Sequence, residues 1–281
     1  MTRTPGRNRD PRRLARHSGR HGPHRLDVPD LGWWTTTLRN RAEQTRTTAA
    51  QRLHISETNL KRIEREGGIP PFDTLQRIAQ EYQLDDAQHR FTRELAQPAR
   101  DLTPLAELRD RFTAPVRRAH LTRFDNDGIA CAFLDPIWNV VAANKLFARA
   151  FPGVEDFDHN LALWHFQPGI AGPTSKQTVV FWDLESAFFV ATLRGAFGRY
   201  RHSPQIADLL RKLERSPAFA SLWTGNLAVT YGRCPDELVH LRDSSTGAPY
   251  SMSIHLGEVA DARDVRLCIG YRQSYAGPPL R

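Results

Sequence analysis

One stretch limits the fold more than any other. Between residues 46 and 65 the apolar and small residues stand at Ala50, Leu53, Ile55, Leu60 and Ile63. At 100° per residue, Leu60 and Ile63 mark the buried side of one helix, and Ala50 is the small residue through which a preceding helix packs closely on it. Leu53 and Ile55 flank the tight turn between them, and Ser56 is placed to cap the second helix. The opposite face of that helix then carries Thr58, Lys61, Arg62 and Arg65. A short helical pair with one apolar seam and one basic, polar face is the expected product.

The surrounding sequence supports a helical domain over residues 31–97. From Trp33 to Ala96 the pattern is helical, broken at His54-Ile55, at Gly67-Gly68-Ile69-Pro70-Pro71 and near Leu84–Asp86, which predicts five helices. Phe72, Leu75, Ile78, Ala79 and Tyr82 share one face, Phe91 and Leu95 another, and both faces are expected to be core. Upstream, residues 1–30 carry eight arginines against Asp10, Asp27 and Asp30 and show no apolar periodicity, so they read as a disordered basic arm. A basic arm beside a basic helix face is the electrostatic footprint of nucleic-acid binding. In a helix-turn-helix the second helix enters the major groove by its N-terminal turn, which brings Glu57 and Thr58 nearest the base edges. The expected DNA-binding set is Arg46, Thr47, Ser56, Glu57, Thr58, Asn59, Lys61, Arg62 and Arg65, with Arg46 and the arm on phosphate. One such unit reads few base pairs, so a homodimer on an inverted repeat of double-stranded DNA is expected.

After a linker over residues 98–115, with Leu102, Leu105 and Leu108 suggesting a short connecting helix, the grammar changes. Ile129–Leu134, a turn at Asp135-Pro136, and Ile137–Ala143 read as a β-hairpin, and Asn144 can cap the helix that follows. Ser203-Pro204 and Ser216-Pro217 are two further helix starts. Tyr250–Leu256 and Val265–Tyr271 alternate apolar with polar residues, as half-buried antiparallel strands do. Residues 116–274 therefore form an α+β domain with an antiparallel sheet, and 275–281 a tail.

Several classes of function are disfavoured. Arg12-Arg13 is followed by no apolar run, so a twin-arginine export signal is not expected, and no stretch is long enough to span a membrane. Cys131, Cys234 and Cys268 are odd in number and widely spaced, which indicates neither a disulfide framework nor a metal site and fits the cytoplasm. No phosphate-cradling glycine loop, Gly-x-Ser-x-Gly or His-Glu-x-x-His occurs, so neither an enzyme nor a cofactor is expected.

Residues 35–96 resemble the helix-turn-helix domain of XRE/Cro/C1-type repressors, through Leu53-His54-Ile55-Ser56, then Leu60-Lys61-Arg62-Ile63-Glu64-Arg65, then Pro70. Arg46 stands where that family usually has glutamine, and His54 where it usually has glycine. The C-terminal half resembles the PAS-like ligand-binding domain of MmyB-like regulators. The matching residues are Leu134-Asp135-Pro136-Ile137-Trp138-Asn139-Val140-Val141-Ala142-Ala143-Asn144, Asn160-Leu161 with Trp164, and Ser216-Pro217-Ala218-Phe219 with Leu222-Trp223. This second resemblance implies a small apolar ligand, fatty acyl or polyketide-like, in a pocket between sheet and helices. Phe133, Val141, Met252, Ile254, Leu267 and Ile269 would form the strand wall, and Phe189, Leu193, Phe197, Leu209, Phe219 and Trp223 the helical wall. With no basic residue fixed on the inward face, the ligand would be largely uncharged or keep its polar end at the mouth. A pocket of at least ~300 Å³ is the requirement. A packed interior would instead favour a protein-interaction module, and an enzyme fused to the DNA-binding domain is the third alternative.

Overall fold

The computed structural model describes residues 26–168, 174–234 and 236–280. Five helices come first: α1 (Leu31–Arg41), α2 (Arg46–Arg52), α3 (Glu57–Glu66), α4 (Phe72–Glu81) and α5 (Asp86–Leu95). Each of four helix starts uses a side-chain cap, with Asp30, Thr45, Ser56 and Asp85 accepting from backbone N–H groups of the first turn. Trp34, fully buried, is the pivot of the helical core: its ring meets Phe91 edge-on at 5.0 Å and its Nε1 donates to Thr92 Oγ1 at 2.8 Å. Gly32 lets α1 approach α3, since a Cβ there would lie 2.5 Å from the Glu64 carbonyl oxygen.

Phe72 departs from the sequence expectation. It is 56% exposed because it opens the first turn of α4, beyond the reach of the core that holds Leu75 and Ile78. The basic arm needs revision at its end as well. Residues 1–25 lie outside the described residues, but Leu26 and Val28 pack against the C-terminal core, and the Leu26 N–H donates to Glu214.

The second half begins with α6 (Leu105–Phe112) and α7 (Pro115–Asn126), then β1 (Ala130–Leu134), β2 (Val140–Ala143), α8 (Lys145–Ala150), a 3-10 turn (Val154–Phe157), α9 (Leu161–Phe166) and α10 (Ser175–Thr178). There follow α11 (Trp182–Arg199), α12 (Pro204–Leu213), α13 (Pro217–Gly225), β3 (Leu238–Arg242), β4 (Pro249–Val259) and β5 (Ala262–Ser274). The strands form one antiparallel sheet in the order β2-β1-β5-β4-β3. The chain is thus an all-α unit followed by an α+β unit.

The sheet is covered on both faces. Ala130, Ala132, Leu134, Met252 and Cys268 meet the core of α8, α9 and α11–α13, whereas Cys131, Phe133, Val141 and Val265 meet Leu108, Phe112 and Leu121 of α6 and α7. The segment expected as a linker therefore does more than connect: α6 is packed on the outer face of the sheet. The two halves also share a core. Leu227 and Val229, beyond α13, are buried among Trp34 and Phe91, and Gly198 of α11 lies so near α5 that a Cβ would stand 2.3 Å from the Phe91 ring. No helix among the described residues is long and apolar enough to cross a membrane.

Candidate nucleic-acid interface and ligand site

The turn between α2 and α3 is built as the spacing implied. Ala49, Ala50, Leu53, Leu60 and Ile63 are buried, and the Ser56 Oγ accepts from the Asn59 N–H at 3.1 Å. His54 takes φ +51°, the left-handed conformation that the resemblance assigned to a glycine at this place. Thr58, Lys61, Arg62 and Arg65 are exposed together on α3. Arg62 Nη2 donates to Asn59 Oδ1 at 3.1 Å, and Thr47 Oγ1 donates to Glu57 Oε2 at 2.9 Å, so the second residue of α2 steadies the first turn of α3.

Arg46 is placed differently from the sequence expectation. Its Nε pairs with Glu64 Oε2 at 2.8 Å, while Arg39 Nε reaches Glu64 Oε1 at 2.6 Å. The Glu64 carboxylate is fully buried, so this triad of α1, α2 and α3 is internal scaffolding. Sequence reasoning missed it because Glu64 sits beside Ile63 on a helix whose other charges face outward.

The C-terminal interior differs more. Strand register puts Phe133 opposite Leu267 and Cys131 opposite Ile269, on the outer face of the sheet, and Val141 joins the same outer core. Only Met252 and Ile254 of the expected strand wall face the helices. A one-residue change of parity moves a strand side chain through the sheet, and β1, buried on both faces, has no polar alternation to fix that parity in sequence. The helical wall is where it was expected, but as packed core: Phe197 and Phe219 lie 5.5 and 5.4 Å from the Trp223 ring, and Leu193 and Leu209 are buried beside them.

What remains between sheet and helices is an apolar chamber of about 40 Å³, lined among others by Leu134, Trp138, Phe188, Phe189, Ile254 and Leu256. Of the expected pocket residues, Phe189 and Ile254 reach it. Trp138 is held at its edge in a left-handed conformation, φ +70°, rare for a bulky side chain. The cause is the buried Asp135 carboxylate, which accepts from the backbone N–H groups of Ile137 and Asn139 and from the Asn139 side chain. Burial pushes Asp135 up to about 6 despite those bonds. Trp138 Nε1 donates to Thr192, and its ring meets Phe189 at 5.1 Å.

Contrary to the expectation of an uncharged interior, basic groups reach inward. Arg233 borders the chamber, paired with Glu185 at 2.5 Å with both side chains under one-tenth exposed, and its guanidinium covers the Phe188 ring at 4.1 Å. Burial pushes Glu185 up while Arg233 restrains it. Arg194 is fully buried and donates to the carbonyls of Trp223 (2.8 Å) and Ala228, pinning the segment that carries Leu227 and Val229 into the helical core. Burial lowers Arg194 to about 9, which leaves it charged at neutral pH. The sequence signal for these roles was weak: a lone arginine on an apolar helix, and another in a loop.

Fold and surface together define a helix-turn-helix protein of the DNA-binding class that carries a second, α+β domain. Two family matches agree with that class. Residues 30–91 match the helix-turn-helix domain family, and residues 116–247 match the MmyB-like transcription regulator ligand binding domain. Both families are regulatory rather than enzymatic. No curated protein matched the chain. The chain thus joins an N-terminal helix-turn-helix domain to an MmyB-like transcription regulator ligand-binding domain.

Proposed function

We propose that the chain is a sequence-specific transcription regulator that reads duplex DNA with α3 and is controlled through its C-terminal domain. The observation that carries this reading is the exposed face of Thr58, Lys61, Arg62 and Arg65 on a helix whose Leu60 and Ile63 are fully buried. Ser56, Glu57, Thr47 and Asn59 shape the first turn of that helix, and residues 1–25 supply a basic arm for phosphate. The division into residues 31–97, 116–274 and a short tail belongs to the same proposal, as does a homodimer on an inverted repeat.

Control by an occupant of the chamber is supported by connection rather than by volume. Arg233 borders the chamber and Leu227 and Val229, a few residues upstream, sit in the helical core, so a shift at Phe188 or Arg233 is passed to α5 and α1. At about 40 Å³ the chamber is far below the ~300 Å³ that a drug-sized or acyl ligand requires. That packing favours a second reading, in which the C-terminal domain docks a protein partner. Selection of bound sequences from a random duplex library tests the DNA reading, which expects enrichment of half-sites about 34 Å apart; no enrichment contradicts it. Native mass spectrometry of the gently purified chain separates the two modes of control, since a retained small molecule supports the first and a bare dimer the second.

A further inference from the structure

A larger cavity lies elsewhere. Between α5, the end of α11 and the strands β4 and β5 is a cleft of about 650 Å³ lined by Arg90, Arg100, Arg199, Arg233, Arg263 and Arg266. Arg90 and Arg100 come from α5 and the segment after it, the other four from the C-terminal half. Two of the charges are answered, Arg90 by Glu94 at 3.0 Å and Arg233 by Glu185. Among the described residues no carboxylate forms an ion pair with Arg100, Arg199, Arg263 or Arg266.

The cleft wall offers these four little compensation. Three carboxylates stand on the wall against six arginines: Asp264, which accepts from the Tyr200 hydroxyl at 2.6 Å and from Thr103 at 3.1 Å, Asp135, held inside its own turn, and Glu258, and none of the three forms an ion pair with these four. Arg199 Nε is buried without a hydrogen-bond partner, and Arg266 spends Nη1 on the Tyr231 carbonyl at 3.0 Å. Burial pushes Arg266 downward, as do the nearby Arg90 and Arg199, with Tyr200 and Glu258 acting against them.

We propose that this cleft binds a small polyanion, phosphorylated or polycarboxylate, held between arginines from both halves of the chain. Guanidinium forks match the oxygens of phosphate and carboxylate with paired hydrogen bonds, and an anion here removes repulsion involving the half-buried Arg199 and Arg266, with the exposed Arg100 and Arg263 at the mouth. The volume suits a metabolite and the concave shape excludes a duplex. Bound charge would fix α5 against the sheet, so polyanion and operator would alter each other's affinity. The site stands apart from the apolar chamber, and its test uses neither operator nor apolar ligand.

The test is titration calorimetry of the full chain with pyrophosphate, ATP and citrate at constant ionic strength, against sodium chloride. Saturable binding of at least one probe is expected, with citrate against the two phosphate compounds separating the two chemistries. Arg199→Gln and Arg266→Gln should each weaken it about tenfold or more, while a Lys61→Ala/Arg62→Ala chain binds as the unaltered one does. Without ligand, Arg199→Gln should melt no lower than the parent, because it removes a repelling charge whose Nε has no partner, whereas Arg266→Gln also gives up the bond to the Tyr231 carbonyl and is compared at a temperature where it is folded; if either fails to fold, the exposed Arg263→Gln carries the comparison. Absence of saturable binding by all three probes, or loss of binding in the Lys61→Ala/Arg62→Ala chain with the cleft variants unaffected, overturns the proposal.

Discussion

Replacing Glu64 with alanine removes the carboxylate on which α1, α2 and α3 converge. Arg39 binds it twice, through Nε at 2.6 Å and Nη2 at 3.4 Å, and Arg46 once, through Nε at 2.8 Å. Breaking a buried ion pair by deleting one partner costs about 3–5 kcal/mol. The Arg39 and Arg46 side chains are 12% and 24% exposed, so both recover some hydration and the loss should fall near the lower end, about 3 kcal/mol. Arg46→Met leaves Glu64 still held by Arg39, and the loss of one charge-assisted hydrogen bond should cost roughly 1.5–3 kcal/mol, less than Glu64→Ala in the same protein. Urea unfolding followed by circular dichroism gives both numbers. Binding to any duplex as a function of salt supplies an independent check. A phosphate contact at Arg46 would lower the slope of log K against log salt by about 0.9, whereas a scaffolding Arg46 leaves that slope unchanged when affinity is measured below the unfolding range. A Glu64→Ala loss under about 1 kcal/mol, or an Arg46→Met chain with normal stability and a reduced slope, would refute the scaffolding role.

Two further outcomes follow from the geometry. His54→Gly should stabilise the helix-turn-helix by about 0.5–1 kcal/mol, because relief of a left-handed φ of +51° exceeds the added entropy of the unfolded chain; thermal unfolding that shows a loss instead contradicts this. His165, stacked on Trp182 at 4.8 Å, is held by burial at about 3 against its ordinary 6.5, so it contributes stability above pH 6.5 that is lost as pH falls toward 3, at about 1.4 kcal/mol per unit. Asp135, raised to about 6 from 3.8, acts oppositely: its contribution is full below 3.8 and is lost as pH rises through 6, so the two nearly cancel between pH 4 and 6. His165→Phe keeps the stack and should therefore gain stability on acidification from pH 6 to 4.5 relative to the parent; urea midpoints at the two pH values that move in parallel for both proteins count against the pairing.

Helix spacing made the N-terminal half legible. Leu60 and Ile63 fixed which way α3 turns, and Ser56 its first residue, because an amphipathic helix writes its buried direction every third or fourth position. Phe72 shows the limit, since periodicity names a face but not how far the core extends along it. In the sheet, the β4 alternation from Tyr250 to Ile254 was readable because its outer side is partly open. β1 was not, because a strand buried on both faces carries no polar mark of parity, and in β5 the alternation was legible but its apolar row at Val265 and Leu267 turns toward α6 and α7 rather than toward the other helices. The triad at Glu64, the Arg194 pin and the shared core at Leu227 and Val229 join residues distant in the chain, and single residues at such separations leave no periodic signal.

Sequence-specific regulation requires that α3 read bases. Fluorescence anisotropy of the full chain on its selected operator, and on every single-base variant of one half-site, measures this for Lys61→Ala and Arg62→Ala. Loss of roughly 1–3 kcal/mol on the operator, together with relaxed preference at one base position, is the expected result. A loss that is equal on every sequence, with preference intact at all positions, would contradict the central claim.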